Sequence, residues 1–188
     1  MNANNSTSIS RRFKWVMALS AIATSLLGLT VSAKDEVPTK EALSGYSISA
    51  TQNPDGSQDI LFGVVGVSTH SGRFTGLGRT HVEPANPSQY HLETHSLWIP
   101  VHSSGTYTAA NGDTHDWAAE GIVIVPLDAS FMPLPPPYAF HSTWEIVGGT
   151  GRFAGSTGHG TGEGFSYADG TTSEIHTGVV STVGSNKK

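Results

Sequence analysis

The feature that most restricts this chain is a two-residue rhythm. Glycine takes every second place at Gly158, Gly160, Gly162 and Gly164, alternating with His159, Thr161 and Glu163. Residues two apart share one face of a strand, whereas helix faces repeat every three to four residues. The same rhythm sets Phe74, Gly76, Gly78, Thr80 and Val82 against Thr75, Leu77, Arg79, His81 and Glu83. It also sets Phe140, Ser142, Trp144 and Ile146 against His141, Thr143 and Glu145. In each segment one face is apolar or tiny and the other is polar, the pattern of a half-buried strand. No segment beyond residue 43 has a helical period.

Short β-type runs span about 44–52, 59–68, 73–83, 90–99, 104–110, 115–125, 139–147, 153–167 and 172–183. Asn53-Pro54-Asp55-Gly56, Ser71-Gly72, Asn111-Gly112-Asp113 and Asp169-Gly170 separate several of them, and Asn-Gly and Asp-Gly close hairpins at little cost. Eight or nine strands so spaced imply an all-β sandwich or closed barrel. The longest irregular stretch, Pro126 to Pro137, is either a plain crossover or a flap carrying Phe131, Met132 and Leu134. Ser71-Gly72-Arg73-Phe74-Thr75-Gly76 returns 79 residues later as Thr150-Gly151-Arg152-Phe153-Ala154-Gly155. Two related halves or convergence on a good hairpin sequence would each produce the echo. Neither copy reads as a phosphate loop, since no helix follows.

Arg11, Arg12 and Lys14 precede an uncharged apolar run from Trp15 to Val31, which ends in Val31-Ser32-Ala33. Residues 1–33 are therefore expected to be a cleaved secretory signal, with an uncleaved anchor as the alternative. The expected layout is a linker over 34–43, one barrel domain over 44–184 and a tail over 185–188. The product would be periplasmic or extracellular, with no stable membrane insertion after cleavage. Beyond the signal the chain has seven bases and all 15 acids, hence 7 − 15 = −8. It lacks the basic stripe that nucleic acid requires. The absence of cysteine excludes disulfide scaffolds, thiolate metal sites and thiol nucleophiles.

If the apolar faces point inward, the four glycines leave one wall without side chains. That wall either opens an elongated hollow lined by Phe62, Tyr107, Trp117, Phe140 and Trp144, or receives a ring lying flat on the backbone. Phe62, Trp117, Phe140, Ser142 and Trp144 are the candidate ligand-binding residues, for a small hydrophobic organic molecule. His115 shares its face with Trp117, Ala119, Gly121 and Val123, so it is the inward candidate for moving protons near neutrality. Tyr107 is its candidate catalytic partner, and Ser142 and Thr80 are further hydrogen-bonding groups. A core histidine without catalytic work is the alternative. His81, His91, His95, His141, His159 and His176 fall mostly on the polar outer face. His91-x-Glu93-x-His95 reads as one strand face, where i and i+4 lie about 13 Å apart, too far to share an ion. No metal site is therefore assigned. The opposite phase would put Asp116, Glu120, His141, Glu145, Arg79 and His81 inside, a costly charged lumen. No nucleophile elbow, P-loop, dinucleotide fingerprint or metalloprotease helix is present.

The segment Gly148-Gly149-Thr150-Gly151-Arg152-Phe153-Ala154-Gly155 and its glycine-rich sequel resemble the C-terminal part of allene oxide cyclase-like and dirigent-like proteins. Thr108-Ala109-Ala110-Asn111-Gly112-Asp113 is similar to bacterial members of that superfamily, and the likeness covers about residues 58–184. It implies an eight-stranded antiparallel β-barrel with a central hydrophobic cavity, often trimeric; a homotrimer or a homodimer is the expected assembly. It also implies cofactor-free isomerase or cyclase chemistry. Only a structural role for Gly149, Gly151 and Phe153 carries over. A non-catalytic carrier or sensor, and a His-rich metal-binding barrel, are the other functional expectations.

Overall fold

The structure, a computed structural model, describes residues 36–181. The expected signal segment and C-terminal tail lie outside the described residues. The strands are β1 Glu36–Gln52, β2 Gln58–Ser68, β3 Gly72–Val82, β4 Tyr90–His91, β5 Ser96–Ala109, β6 Thr114–Pro126, β7 Tyr138–Gly149, β8 Gly158–Ser166 and β9 Thr171–Ser181. All pairings are antiparallel, in the order β3-β2-β1-β9-β8-β7-β6-β5, and β3 pairs with β5 to close the ring. The short β4 adds only to the start of β5, so the fold is a closed eight-stranded barrel. Closure removes every long sheet edge. No α-helix occurs among the described residues; Pro87–Gln89, Leu92–Thr94 and Gly151–Phe153 form single 3-10 turns.

Hairpin turns fall where the sequence places them. Gly112 (φ +86°) and Gly170 (φ +81°) occupy the left-handed region, where a Cβ is strained. Three boundaries differ from the sequence reading. Residues 36–43, expected as linker, belong to β1, where Thr39, Glu41 and Leu43 are buried at alternate places. The polar Thr39 and Glu41, with Pro38 beside them, disguise that inner face. The runs expected over 90–99 and 104–110 resolve into β4, a 3-10 turn and the continuous β5. β8 starts at Gly158 rather than at 153, because the second Gly-Arg-Phe copy coils into a 3-10 turn. Pro126–Pro137 folds back on itself, with Asp128 N–H donating to Met132 O at 2.9 Å and Leu134 N–H to Pro126 O at 2.8 Å.

The two Gly-Arg-Phe copies meet at one end of the barrel. Arg152 donates from Nη2 to Ser71 O at 3.2 Å and its Nε lies 3.4 Å from Asp113. Phe74 stacks on Tyr107 at 4.6 Å, while Phe153 stands edge-on to His115 at 5.0 Å. Leu43, Val64, Phe74, Tyr107 and Trp117 form the buried core behind them. Leu97, Val125 and Leu127 make a second small core where β5 and β6 outrun the barrel at the other end.

Candidate functional site

The faces assigned to the interior by alternation in β3, β7 and β8 do face the lumen. Arg79, His81, Asp116, Glu120, His141 and Glu145 lie on the opposite face. The glycine wall is not a hollow, however. A Cβ at Gly160 would lie 2.6 Å from Trp144 Cζ2, and one at Gly164 would lie 2.6 Å from Phe140 Cζ. At Gly162 it would meet Ser142 Oγ at 2.6 Å and His176 Cδ2 at 2.8 Å. The glycines are seats for rings from neighbouring strands, so the ring-on-backbone alternative holds along this wall. A groove of about 570 Å³ lies instead on the outside of β8, β9, β1 and β2, among Ala42, Ser44, Val65, Phe165, Ser173 and Ile175.

Burial divides the lumen in two. Toward the Gly-Arg-Phe end the inward residues Leu43, Val64, Phe74, Tyr107, His115, Trp117, Trp144 and His176 are all buried. Toward the other end the inward Phe62, Thr80, Ser103, Ala119, Phe140 and Ser142 are only half-buried. Solvent therefore enters a cup whose floor is Trp117, Trp144 and His176. Of the sequence-predicted set, Phe62, Phe140 and Ser142 line this cup and Trp117 and Trp144 close its base. Tyr107 and His115 pair across β5 and β6, with ring centroids 5.2 Å apart, in the sealed half. Burial lowers the His115 pKa and, together with the charges of Glu41 and Glu174, pushes that of Tyr107 well up. Both are neutral near pH 7.

The charged centre of the lumen was not foreseen. His176, expected outside, points inward between two carboxylates. Its Nε2 donates to Glu174 Oε2 at 3.1 Å, and its Nδ1 lies 3.7 Å from Glu41 Oε2. Burial alone would depress its pKa, but the hydrogen bonds and charges of Glu174 and Glu41 outweigh that and raise it to about 9. Thr172 Oγ1 donates to the other oxygen of Glu174 at 3.0 Å. The side chains of His176 and Glu41 are each 9% exposed and that of Glu174 is 19%, so Glu174 is the member that solvent reaches. The signal was in the sequence: Thr172, Glu174, His176, Gly178 and Val180 alternate as one face. Ile175 and Val179 on the opposite face obscured which side was inner.

His91, Glu93 and His95 do not share a strand face. A 3-10 turn separates the histidines, His91 stacks on Trp98 at 3.9 Å and His95 stacks on Phe131 at 5.7 Å. Among the described residues no three His, Asp or Glu side chains form a group able to hold a metal ion. The imidazole of His176 already directs both ring nitrogens at carboxylates. No family model, curated protein or solved structure matches this chain.

Proposed function

We propose that this barrel binds a small, largely apolar organic molecule in the open half of its lumen and isomerises or cyclises it without a cofactor. A reaction without a cofactor is what the likeness of the GGTGRFAG segment to allene oxide cyclase-like barrels implies. One observation carries the proposal: the cup ends on Glu174, a solvent-reached carboxylate held by a buried imidazolium. Buried charge is expensive to keep, and perturbed titratable groups in a concavity are a mark of functional sites. The aromatic walls would hold a flexible molecule in one productive shape, and Glu174 would pass a proton between two of its carbons. His176 and Thr172 orient that carboxylate. In this scheme His115 and Tyr107 act through packing, because Phe153 and Phe74 cover them.

A carrier that releases its ligand unchanged is the second reading. It is favoured by the fact that both Glu174 oxygens are already engaged, by Thr172 and His176.

Native mass spectrometry of protein purified from its own host is expected to reveal one retained small molecule per barrel. Incubated in D2O with the wild type, that molecule should gain deuterium at carbon, and with Glu174→Gln it should not. A ligand retained without exchange supports the carrier. An empty barrel that also fails to enhance the fluorescence of N-phenyl-1-naphthylamine would contradict both readings.

A further inference from the structure

The outer wall of the barrel is uneven. Among the described residues, Val147 is the one large hydrophobic side chain exposed on β5, β6 or β7. On β8, β9, β1, β2 and β3 the outward places carry Phe165, Ile175, Tyr46, Val65, Val67 and Leu77, all of them exposed. A contiguous exposed apolar patch marks a contact surface. Small residues run through its middle. Ala42, Ser44 and Ser173 line the outer groove of about 570 Å³ together with Phe165, Ile175 and Val65.

Strand register gives the patch a symmetry. One outward row reads Glu163, Ile175, Ala42, Val67 and Arg73 across β8, β9, β1, β2 and β3. Its order is acid, apolar, small, apolar, base. A second copy turned about a two-fold axis along β1, in the plane of contact, presents the same row reversed. Glu163 then faces the other copy's Arg73, Ile175 faces its Val67, and Ala42 faces its own equivalent. The adjacent row, Phe165, Ser173, Ser44, Val65 and Thr75, sets large against small under the same operation. Phe165 meets Thr75, and Val65 enters the groove over Ser173. In the next row Tyr167 comes to Leu77 and Tyr46 to Tyr46. Glu163 and Arg73 stand where the wall curves away from the other copy, a gap that two long side chains span. Among the described residues Arg152 is the only arginine or lysine paired with a carboxylate, so Arg73 is free to pair outward. Glu163 has His141 alone beside it, at 3.8 Å. Lys40 falls at the end of the axis opposite its own equivalent, where its stem can turn into solvent.

We infer that this face binds a second copy of the chain in an isologous dimer, with Glu163 of each copy paired to Arg73 of the other around an apolar centre. Charge complementarity selects that occupant. A bilayer would leave Glu163 and Arg73 without partners in a poorly solvated place. A ring of three needs two different patches that fit each other, whereas this one fits itself. The patch lies on the outer wall, so the inference is independent of lumen binding.

Sedimentation equilibrium of the wild-type chain purified from its own host is expected to show a dimer at micromolar concentration. Arg73→Glu and Glu163→Arg, each alone, set like charges opposite one another twice per dimer and should weaken association about tenfold or more. An equimolar mixture of the two variants should form a heterodimer, seen by native mass spectrometry midway in mass between the homodimers. The chain carrying both substitutions should dimerise by itself. Val147→Asp, outside the patch, should change nothing. Recovery in the mixture shows that both single variants fold. A wild-type chain that stays monomeric, or an oligomer indifferent to both single charge reversals, would overturn the interface. So would a mixture that fails to associate. Monomers that sediment with phosphatidylcholine vesicles would overturn it in favour of a lipid surface.

Discussion

Raising the pH from 6.5 to 9 is expected to cost this barrel about 3 kcal/mol of stability, because His176 gives up its proton over that window. In the unfolded chain a histidine titrates near 6.5, and in the fold the two carboxylates raise His176 to about 9. The folded state therefore binds the extra proton between those values. Its contribution is complete below the unfolded pKa and is lost as pH climbs through the folded one. His115 behaves in the opposite way. Burial lowers its pKa, so the unfolded state binds the extra proton as pH drops below 6.5, and stability falls on the acid side. Maximum stability is thus expected near pH 6.5. Urea unfolding at successive pH values checks this in the wild type, in His176→Gln and in His115→Gln. His176→Gln should be less stable at pH 6, since it leaves buried carboxylates unpaired, and nearly flat from 6.5 to 9. His115→Gln should keep the alkaline decline and soften the acid one. His81, beside Asp59 on the outer surface, shifts in the same direction as His176, and it is common to all three proteins. A wild-type curve level above pH 6.5, or one that declines equally in His176→Gln, would contradict the buried pairing.

The second large effect concerns a single methyl group. At Gly160 an added Cβ would collide with Thr177 O, lie 2.6 Å from Trp144 Cζ2 and lie 2.7 Å from Gly178 Cα. Two of these obstacles are backbone, which moves only if the β8–β9 ladder opens. Overpacking usually costs 1–3 kcal/mol, and a backbone collision puts Gly160→Ala at about 3 kcal/mol or more. The corresponding fall in melting temperature is roughly 6–12 °C for a domain of this size. Gly148→Ala is the control. Its Cβ would approach only the Asp116 carboxylate end, at 3.2 Å, and the change should cost less than about 1 kcal/mol. A Gly160→Ala protein as stable as Gly148→Ala would mean that Trp144 does not lie on the glycine wall.

Alternation read the fold well because closure of a barrel imposes it on every strand. It placed Phe140, Ser142 and Trp144 on one inner face, and Gly158 through Gly164 on another, without any knowledge of pairing. It could not tell an empty wall from a ring seat. Glycine is silent about its occupant, and the register pairing Trp144 with Gly160 is long-range. The charged centre was missed for a different reason. Alternation by polarity puts polar residues outward, and Glu41 falls in a stretch whose Pro38, Thr39 and Lys40 read as linker. What makes Glu41, Glu174 and His176 tolerable inside is their mutual pairing across β1 and β9, where Glu41 opposes His176 in the ladder. Pairing of this kind becomes visible only once the strands are in register. His115 shows the converse. Its inward position was legible, but its cover of Phe153, contributed by a 3-10 turn rather than a strand, was not.

The half-open lumen can be tested directly because the chain has no native cysteine. Ser103→Cys and Ser142→Cys place single thiols in the cup, and Val64→Cys, at a site 2% exposed, places one in the sealed half. Each folded protein is treated with methyl methanethiosulfonate, a small neutral thiol reagent, and labelling is followed by mass. The two cup thiols should be modified at least a hundredfold faster than the thiol at position 64. Equal protection at all three positions would show a lumen filled from end to end, with no room for a ligand.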